Sequence, residues 1–194
     1  MAARSRTRRR ASPATVPAVS DTASSDAAAV DRLIRELIET GREATSEEVG
    51  RIVGHIAAAP FDPRVVPVAA DHRALTHEGR TLGSRENALV YHLVQRVVVE
   101  RQWAEGTTPE RYLADLRQAV RTPDARLVVY FRRGGHIAVT VTPTDRVLSP
   151  GRRGVGELPN LLVVYSADRG IIVTGYQFST IEATGIPRDA RWLR

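Results

Sequence analysis

The hydrophobic period of this chain changes once along its length. Up to about residue 121 apolar residues recur every three or four positions, and beyond Pro123 they alternate. The first spacing lines one stripe of a helix; the second lines one face of a strand. A chain that spells helices first and strands afterwards has no repeating βαβ units from which to build a parallel sheet. The expected fold class is therefore α+β, with N-terminal helices followed by a small antiparallel sheet of four to five strands.

The helical half reads in four pieces. Val30, Leu33, Ile34, Leu37 and Ile38 form one stripe, predicting a helix over about 27–40 that Gly41 ends. Val49, Ile52, Val53 and Ile56 form a second over 46–58, opened by a Thr45/Glu48 capping box. The two stripes are expected to pack as a hairpin over 28–58, an accessory layer with one side on the rest of the domain and the other free to hold a partner or a second copy; simple core packing explains the stripes equally well. Pro60, Pro63 and Pro67 forbid a continuous helix next, so 59–83 reads as a connector with a short helical turn at 71–77. Ser84 is placed to cap a third helix over 85–103. Its apolar rows are Leu89, Leu93, Val97 and Val90, Val94, Val98. Thr107 or Thr108 caps a fourth, with Pro109 in its first turn, where a missing N–H costs nothing.

The strand half contains two hairpin signals. Leu127–Phe131 and His136–Thr142 flank Arg133-Gly134-Gly135, and Leu161–Ser166 and Ile171–Phe178 flank a turn ending in Gly170. Within the second strand Ile137, Val139 and Val141 share one face; His136, Ala138, Thr140 and Thr142 share the other. Residues 143–159 read as a long loop with a short edge strand at 145–148. Residues 84–194 thus make one α+β domain.

Composition narrows the chemistry. The chain has no cysteine, and all 28 basic residues are arginine. Thiolate metal sites, disulfides, cysteine nucleophiles, lysine Schiff bases and lysine-bearing phosphate loops are excluded. Positive charge is concentrated at the ends: residues 121–194 carry eleven arginines against six acids, while 31–120 are slightly acidic. A basic C-terminal part points to an anionic partner, nucleic acid being the usual one; a solvated arginine-rich surface explains the charge equally well. Residues 1–27, with Arg4, Arg6, Arg8, Arg9 and Arg10 and no apolar period, read as a disordered basic tail. No apolar run approaches the ~18 residues of a membrane span, and no apolar segment follows the first arginines as in a secretory signal. The expectation is a cytoplasmic protein without membrane contact, with delivery into another cell left open.

Three constellations carry possible chemistry. His92 and Arg96 stand four apart on one helix face, pairing a proton carrier with a phosphate-binding guanidinium. The plainer reading is a half-buried histidine and a surface arginine paired to Glu100. In the last strand Thr174 and Tyr176 share a face, while Gly175 between them marks a close approach or a bulge. Ordinary strand preference also explains Thr and Tyr there. Arg132, Arg133 and His136, around the first hairpin turn, and Gln177 are candidate substrate contacts. The five histidines show no metal-ligand spacing, so neither a metal site nor a cofactor is expected.

Over about 84–180 the sequence resembles the barnase–EndoU–colicin–RelE-like ribonucleases, particularly bacterial toxin and phage-encoded members. The resemblance rests on helices before an antiparallel sheet, on His92-x-x-x-Arg96, and on the closing hairpin 161–178, with its apolar strand, glycine turn and Thr-x-Tyr strand. It implies a metal-independent endoribonuclease, with His92, Arg96, Thr174 and Tyr176 as catalytic positions. The reaction it implies is attack of a ribose 2′-hydroxyl on the adjacent phosphorus. The implied partners are an RNA substrate and a cognate antitoxin or immunity protein. The alternative is a non-catalytic nucleic-acid-binding or protein-interaction domain of a phage or mobile element.

Overall fold

The structure is a computed structural model and describes residues 21–146 and 158–194. Most of the expected basic tail, and all of the long loop beyond Arg146 up to residue 157, lie outside the described residues. The first helix, α1 (Asp21–Thr40), starts six residues earlier than its apolar stripe predicts. The Ala- and Asp-containing stretch before Ala27 continues the helix although it contributes nothing to the stripe, because short-side-chain residues propagate a turn already nucleated. α2 (Ser46–Ala58) opens as expected: the Glu48 N–H donates to Thr45 Oγ1 (3.2 Å) and the Thr45 N–H donates to Glu48 Oε2 (2.8 Å).

The connector has its own order. β1 (Val65–Pro67) pairs with β4 (Arg85–Asn87), and β2 (Thr76–His77) pairs with β3 (Arg80–Thr81). The expected helical turn shrinks to a 3-10 turn at Ala70–His72. β4 also shortens the third helix, since its residues are spent in a strand. α3 (Ala88–Val94) is capped by Asn87, not Ser84, and runs on as a single π turn through Val99. Arg101, held at φ 53, ends it well short of Trp103. The two apolar rows of this helix serve different cores. Leu93 and Val97 enter the main core; Val94 meets Val68 and Leu82 of the connector. α4 (Pro109–Arg121) is capped by Thr108, with Tyr112, Leu116 and Val120 buried.

The sheet is antiparallel and five-stranded: β5 (Arg126–Arg132), β6 (Gly135–Pro143), β7 (Asn160–Ser166), β8 (Ile171–Phe178) and β9 (Arg191–Trp192). Their spatial order is β8-β7-β6-β5-β9. The expected edge strand at 145–148 is instead a 3-10 turn over Thr144–Arg146, its remainder lying outside the described residues. β9 has no counterpart in the sequence reading, because two residues are too short to show a period.

Both sheet faces are buried. One meets α1, α2 and α4 through Leu127, Val129, Ala138, Leu161, Val163 and Tyr165. The other, with Val128, Val139, Val141 and Leu162, is partly covered by the returning chain at Ile181, Ile186 and Ala190. The helical hairpin is therefore not an accessory layer. Val30, Ile34, Leu37, Ile52 and Ile56 share one continuous core with α4 and the sheet, so the hairpin is the lid of the only face that the helices cover. Among the described residues no helix is long and apolar enough to cross a membrane. A chain beginning at residue 59 should lose this lid and expose the facing apolar side chains of α4 and the sheet. It is expected to be insoluble or to show no cooperative thermal transition by circular dichroism, whereas the full chain melts cooperatively.

Candidate functional site

The site is built along the outer edge of β8. Antiparallel pairing leaves every second N–H and C=O of an edge strand pointing away from the sheet. Among the described residues no strand runs alongside, yet the outward groups of Ile172, Gly175 and Gln177 are satisfied. Asp62 N–H donates to Ile172 O (2.8 Å) and Ile172 N–H donates to Pro60 O (2.8 Å). Val173 is then skipped in the register with β7, which resets which residues point outward. Beyond that bulge side chains take over. Gly175 N–H donates to the Tyr112 hydroxyl (3.1 Å), which donates back to Gly175 O (2.7 Å); Arg96 Nε donates to the same carbonyl (3.1 Å). One turn of ladder later Gln102 Oε1 accepts from Gln177 N–H (2.7 Å), and its amide nitrogen donates to Gln177 O (3.0 Å). Gly175 is a close approach, as its place between Thr174 and Tyr176 suggests. A Cβ there would lie 2.3 Å from Leu116 Cδ2.

This edge brings the four expected catalytic positions together. Thr174 Oγ1 lies 3.3 Å from His92 Nδ1. The Arg96 guanidinium carbon sits 5.0 Å from the centre of the Tyr176 ring. Arg96 is buried and also forms an ion pair with Glu100, so both the site pairing and the plainer pairing are present. Its Nε and Nη1 are taken by Gly175 O and the Glu100 carboxylate. The π turn matters here: it shifts Arg96 relative to an α-helical course and lets it reach over the sheet edge. Burial, with the Arg96 charge adding to it, lowers the His92 pKa to about 4; the nearby Asp62 carboxylate acts in the opposite direction. The imidazole is therefore neutral at physiological pH.

Of the four expected substrate contacts, two are misplaced. Gln177 is buried, its amide nitrogen donating to Gln102 O, so it is part of the edge seal. Sequence gave no signal for Gln102, its partner 75 positions away. His136 is also buried, at the far side of the sheet, with Nδ1 3.0 Å from Asp31 Oδ1 of α1. It fastens the helical lid to the hairpin. Arg132 and Arg133 are exposed and do line a cleft, of ≈ 330 Å³, at the open end of the sheet face that carries Ile137 and Val164.

The residues missed from sequence are those that complete this cleft. Arg64 and Arg169 line it as well, and both reach the buried carboxylate of Asp62. Asp62 Oδ2 lies 2.6 Å from Arg64 Nη2 and 3.5 Å from Arg169 Nη1. The Arg64 hydrogen bond, ahead of opposing burial, holds the Asp62 carboxyl below its usual range. Asp62 stands beside Phe61, whose ring meets His92 edge-on at 6.0 Å. The arginine cleft and the His92 cluster are thus joined through Phe61-Asp62. The only legible hint was a Phe-Asp-Pro-Arg run inside the proline-rich connector. Among the described residues no group of three or more His, Asp or Glu side chains is placed to hold a metal ion. No protein-family model, curated protein or solved structure matches the chain.

Two outcomes follow from this geometry. Gly175→Ala is expected to destabilise the fold by about 1–3 kcal/mol, read from chemical denaturation, because the added methyl overlaps the fully buried Leu116 side chain, which must shift within the core. The low proton affinity of His92 also makes stability depend on pH. The unfolded histidine binds a proton below ~6.5, while the folded one stays neutral down to about 4. Stability from this group is complete above pH ~6.5 and is lost as pH falls through that window. His92→Gln should flatten that part of the denaturation profile.

Proposed function

We propose that the protein is a metal-independent endoribonuclease whose reaction is centred on His92. The observation that carries this reading is the meeting of His92 and Thr174 at 3.3 Å, on a sheet edge joined through Asp62 to a cleft lined by four arginines. With the Nδ1 proton donated to the Thr174 hydroxyl, Nε2 presents its lone pair. A neutral imidazole in that tautomer accepts the proton of a ribose 2′-hydroxyl. The oxygen then attacks the adjacent phosphorus, and the bond to the leaving 5′-oxygen breaks, that oxygen taking a proton from an acid or from water. Arg96 Nη2 and the cleft arginines face the charge that gathers on the phosphorane oxygens. Tyr176, stacked under Arg96, holds that guanidinium in place.

The cleft has the chemistry of a phosphate track. Arg64 and Arg169 are fixed by Asp62, whereas Arg132 and Arg133 project from a hairpin turn. Fixed guanidiniums bind phosphate oxygens with little loss of side-chain freedom. A role as a toxin acting on cytoplasmic RNA, held in check by a cognate antitoxin or immunity protein, accords with this reading. A second reading has one observation in its favour. Arg96 spends Nε on Gly175 and Nη1 on Glu100, which fits a purely structural arginine beside a non-catalytic RNA-binding cleft.

Incubation with a single-stranded RNA in excess chelator separates the two. Cleavage is expected, with an all-deoxy strand of the same sequence left intact. His92→Ala should lower the rate at least ~10²-fold, and the wild-type rate should fall on the acid side only near pH 4. RNA binding without cleavage, unchanged by His92→Ala, would establish the binding module instead.

A further inference from the structure

The arginine cleft adjoins the two hairpin turns at one end of the sheet, Arg133-Gly134 between β5 and β6 and Ala167–Gly170 between β7 and β8. Its rim and floor differ in chemistry. Arg64, Arg132, Arg133 and Arg169 stand around it, all exposed, while Ile137, Val164 and Val173 line it with aliphatic surface. One lining residue is acidic. Asp168 lies between the two turns: its Oδ1 accepts from Ser166 Oγ (2.6 Å) and stands 2.5 Å from where a Cβ on Gly135 would be. With Asp168 on the lining and Asp62 behind Arg64 and Arg169, the cleft keeps two positive charges in excess.

That excess distinguishes two kinds of phosphate. An internal phosphodiester carries one negative charge, whereas a phosphomonoester approaches two at neutral pH, its second pKa being about 6. Arg64 and Arg169 are held at the cleft by Asp62 before any ligand arrives, so they bind such a group with little loss of side-chain freedom. The volume, ≈ 330 Å³, is near the lower end of the about 300–1,000 Å³ of small-ligand pockets and suits one nucleotide rather than a run of chain. The aliphatic floor gives the ribose and base of that nucleotide an apolar surface to rest on. Beyond the turns the charge reverses. Asp168 also lines the neighbouring cavity toward α1 and α2, together with Asp26 and Asp31, against Arg32 and Arg169. Of these two arginines, Arg169 is already committed to Asp62 and Ser166. A phosphodiester backbone leaving the cleft in that direction runs into carboxylates, so a strand seated among the arginines ends there.

We propose that the cleft binds the terminal phosphomonoester of an RNA strand, with Arg64, Arg132, Arg133 and Arg169 around its oxygens and Asp168 barring the backbone from continuing past the turns. The proposal rests on the reading of the cleft as a phosphate track and adds where that track stops. Phe61-Asp62 joins the cleft to the His92 cluster, so a strand fixed by its end runs from the arginines toward His92 and Thr174. Cleavage then falls at a fixed short distance from the phosphorylated end. A 5′- and a 3′-phosphate share this chemistry, and the strand direction that reaches His92 selects one of them.

Titration calorimetry of the full chain with a short single-stranded RNA tests this, its riboses 2′-O-methylated so that no attacking hydroxyl is present. The strand is compared with a 5′-phosphate, with a 3′-phosphate, with hydroxyls at both ends, and with the preferred end phosphate as its methyl ester, a monoanion. One phosphorylated form should bind about tenfold or more tighter than the hydroxyl-ended strand, as added charge-assisted hydrogen bonds allow. The methyl ester should lose most of that gain. Arg132→Gln combined with Arg133→Gln changes two exposed side chains at a turn, so the thermal midpoint should stay near that of the wild type. The preference for a phosphorylated end should nevertheless vanish. Equal affinities for phosphorylated and hydroxyl-ended strands, a methyl ester as good as the free phosphate, or a preference that survives the double variant would overturn the end site. Cleavage of unmodified RNA measured alongside keeps the two ideas apart. Cuts at positions independent of the end phosphate remove the end site and keep the nuclease; end-selective binding without cleavage removes the nuclease and keeps the end site.

Discussion

The unpaired edge of β8 is the constraint around which this protein is arranged. A sheet edge with open N–H and C=O groups invites pairing with another chain, and burying it without partners costs several hydrogen bonds. Among the described residues no sixth strand meets the need. Three segments distant in sequence do so instead: the Pro60–Asp62 backbone, Arg96 and Gln102 around the π turn, and Tyr112 of α4. Each element that faces the candidate site is present because the edge requires it. The Val173 bulge and Gly175 are the adjustments on the strand side. The first changes which groups face out, and the second lets Tyr112 and Leu116 come close enough to reach them.

Sealing the edge also sets the chemistry beside it. Arg96 is drawn over the strand by Gly175 O and kept there by Glu100 and the Tyr176 ring, which places a positive charge four residues from His92 on the same helix. That charge and the burial of the ring both disfavour the imidazolium. The same packing that stabilises the fold therefore keeps this imidazole neutral at physiological pH. A surface histidine on an isolated helix would have titrated near neutrality.

The sequence made the fold class, the four helices and four of the five main strands legible, because each depends on a period over seven or more residues. It also singled out His92, Arg96, Thr174 and Tyr176, whose spacing within a helix and a strand is a local property. What remained hidden was every relation that needs two distant segments to meet. Gln177 was a candidate substrate contact, and Gln102, outside any regular element, holds it in the edge seal instead. His136 looked exposed beside a glycine turn, and Asp31 of a helix more than a hundred residues earlier buries it. The hairpin of α1 and α2 read as an accessory layer because two stripes can cover one another. Its stripes are wider than that pairing uses, and the surplus faces the sheet.

Asp62 shows how one buried carboxylate organises a strongly cationic region. Four arginines around a cleft repel one another, and in the absence of an anion their side chains would spread into solvent. Asp62 is nearly inaccessible and accepts from both Arg64 and Arg169, which anchors two of the four charges at the cleft. It also opposes the effect of Arg96 on His92, so the imidazole is not driven still lower. Its backbone N–H closes the edge of β8 at Ile172. Fold, cleft and the environment of His92 thus share one residue. Replacing that carboxylate would loosen the two guanidiniums and change the field at His92 even if the backbone pairing survived, and that coupling ties the edge of the sheet to the arginine cleft.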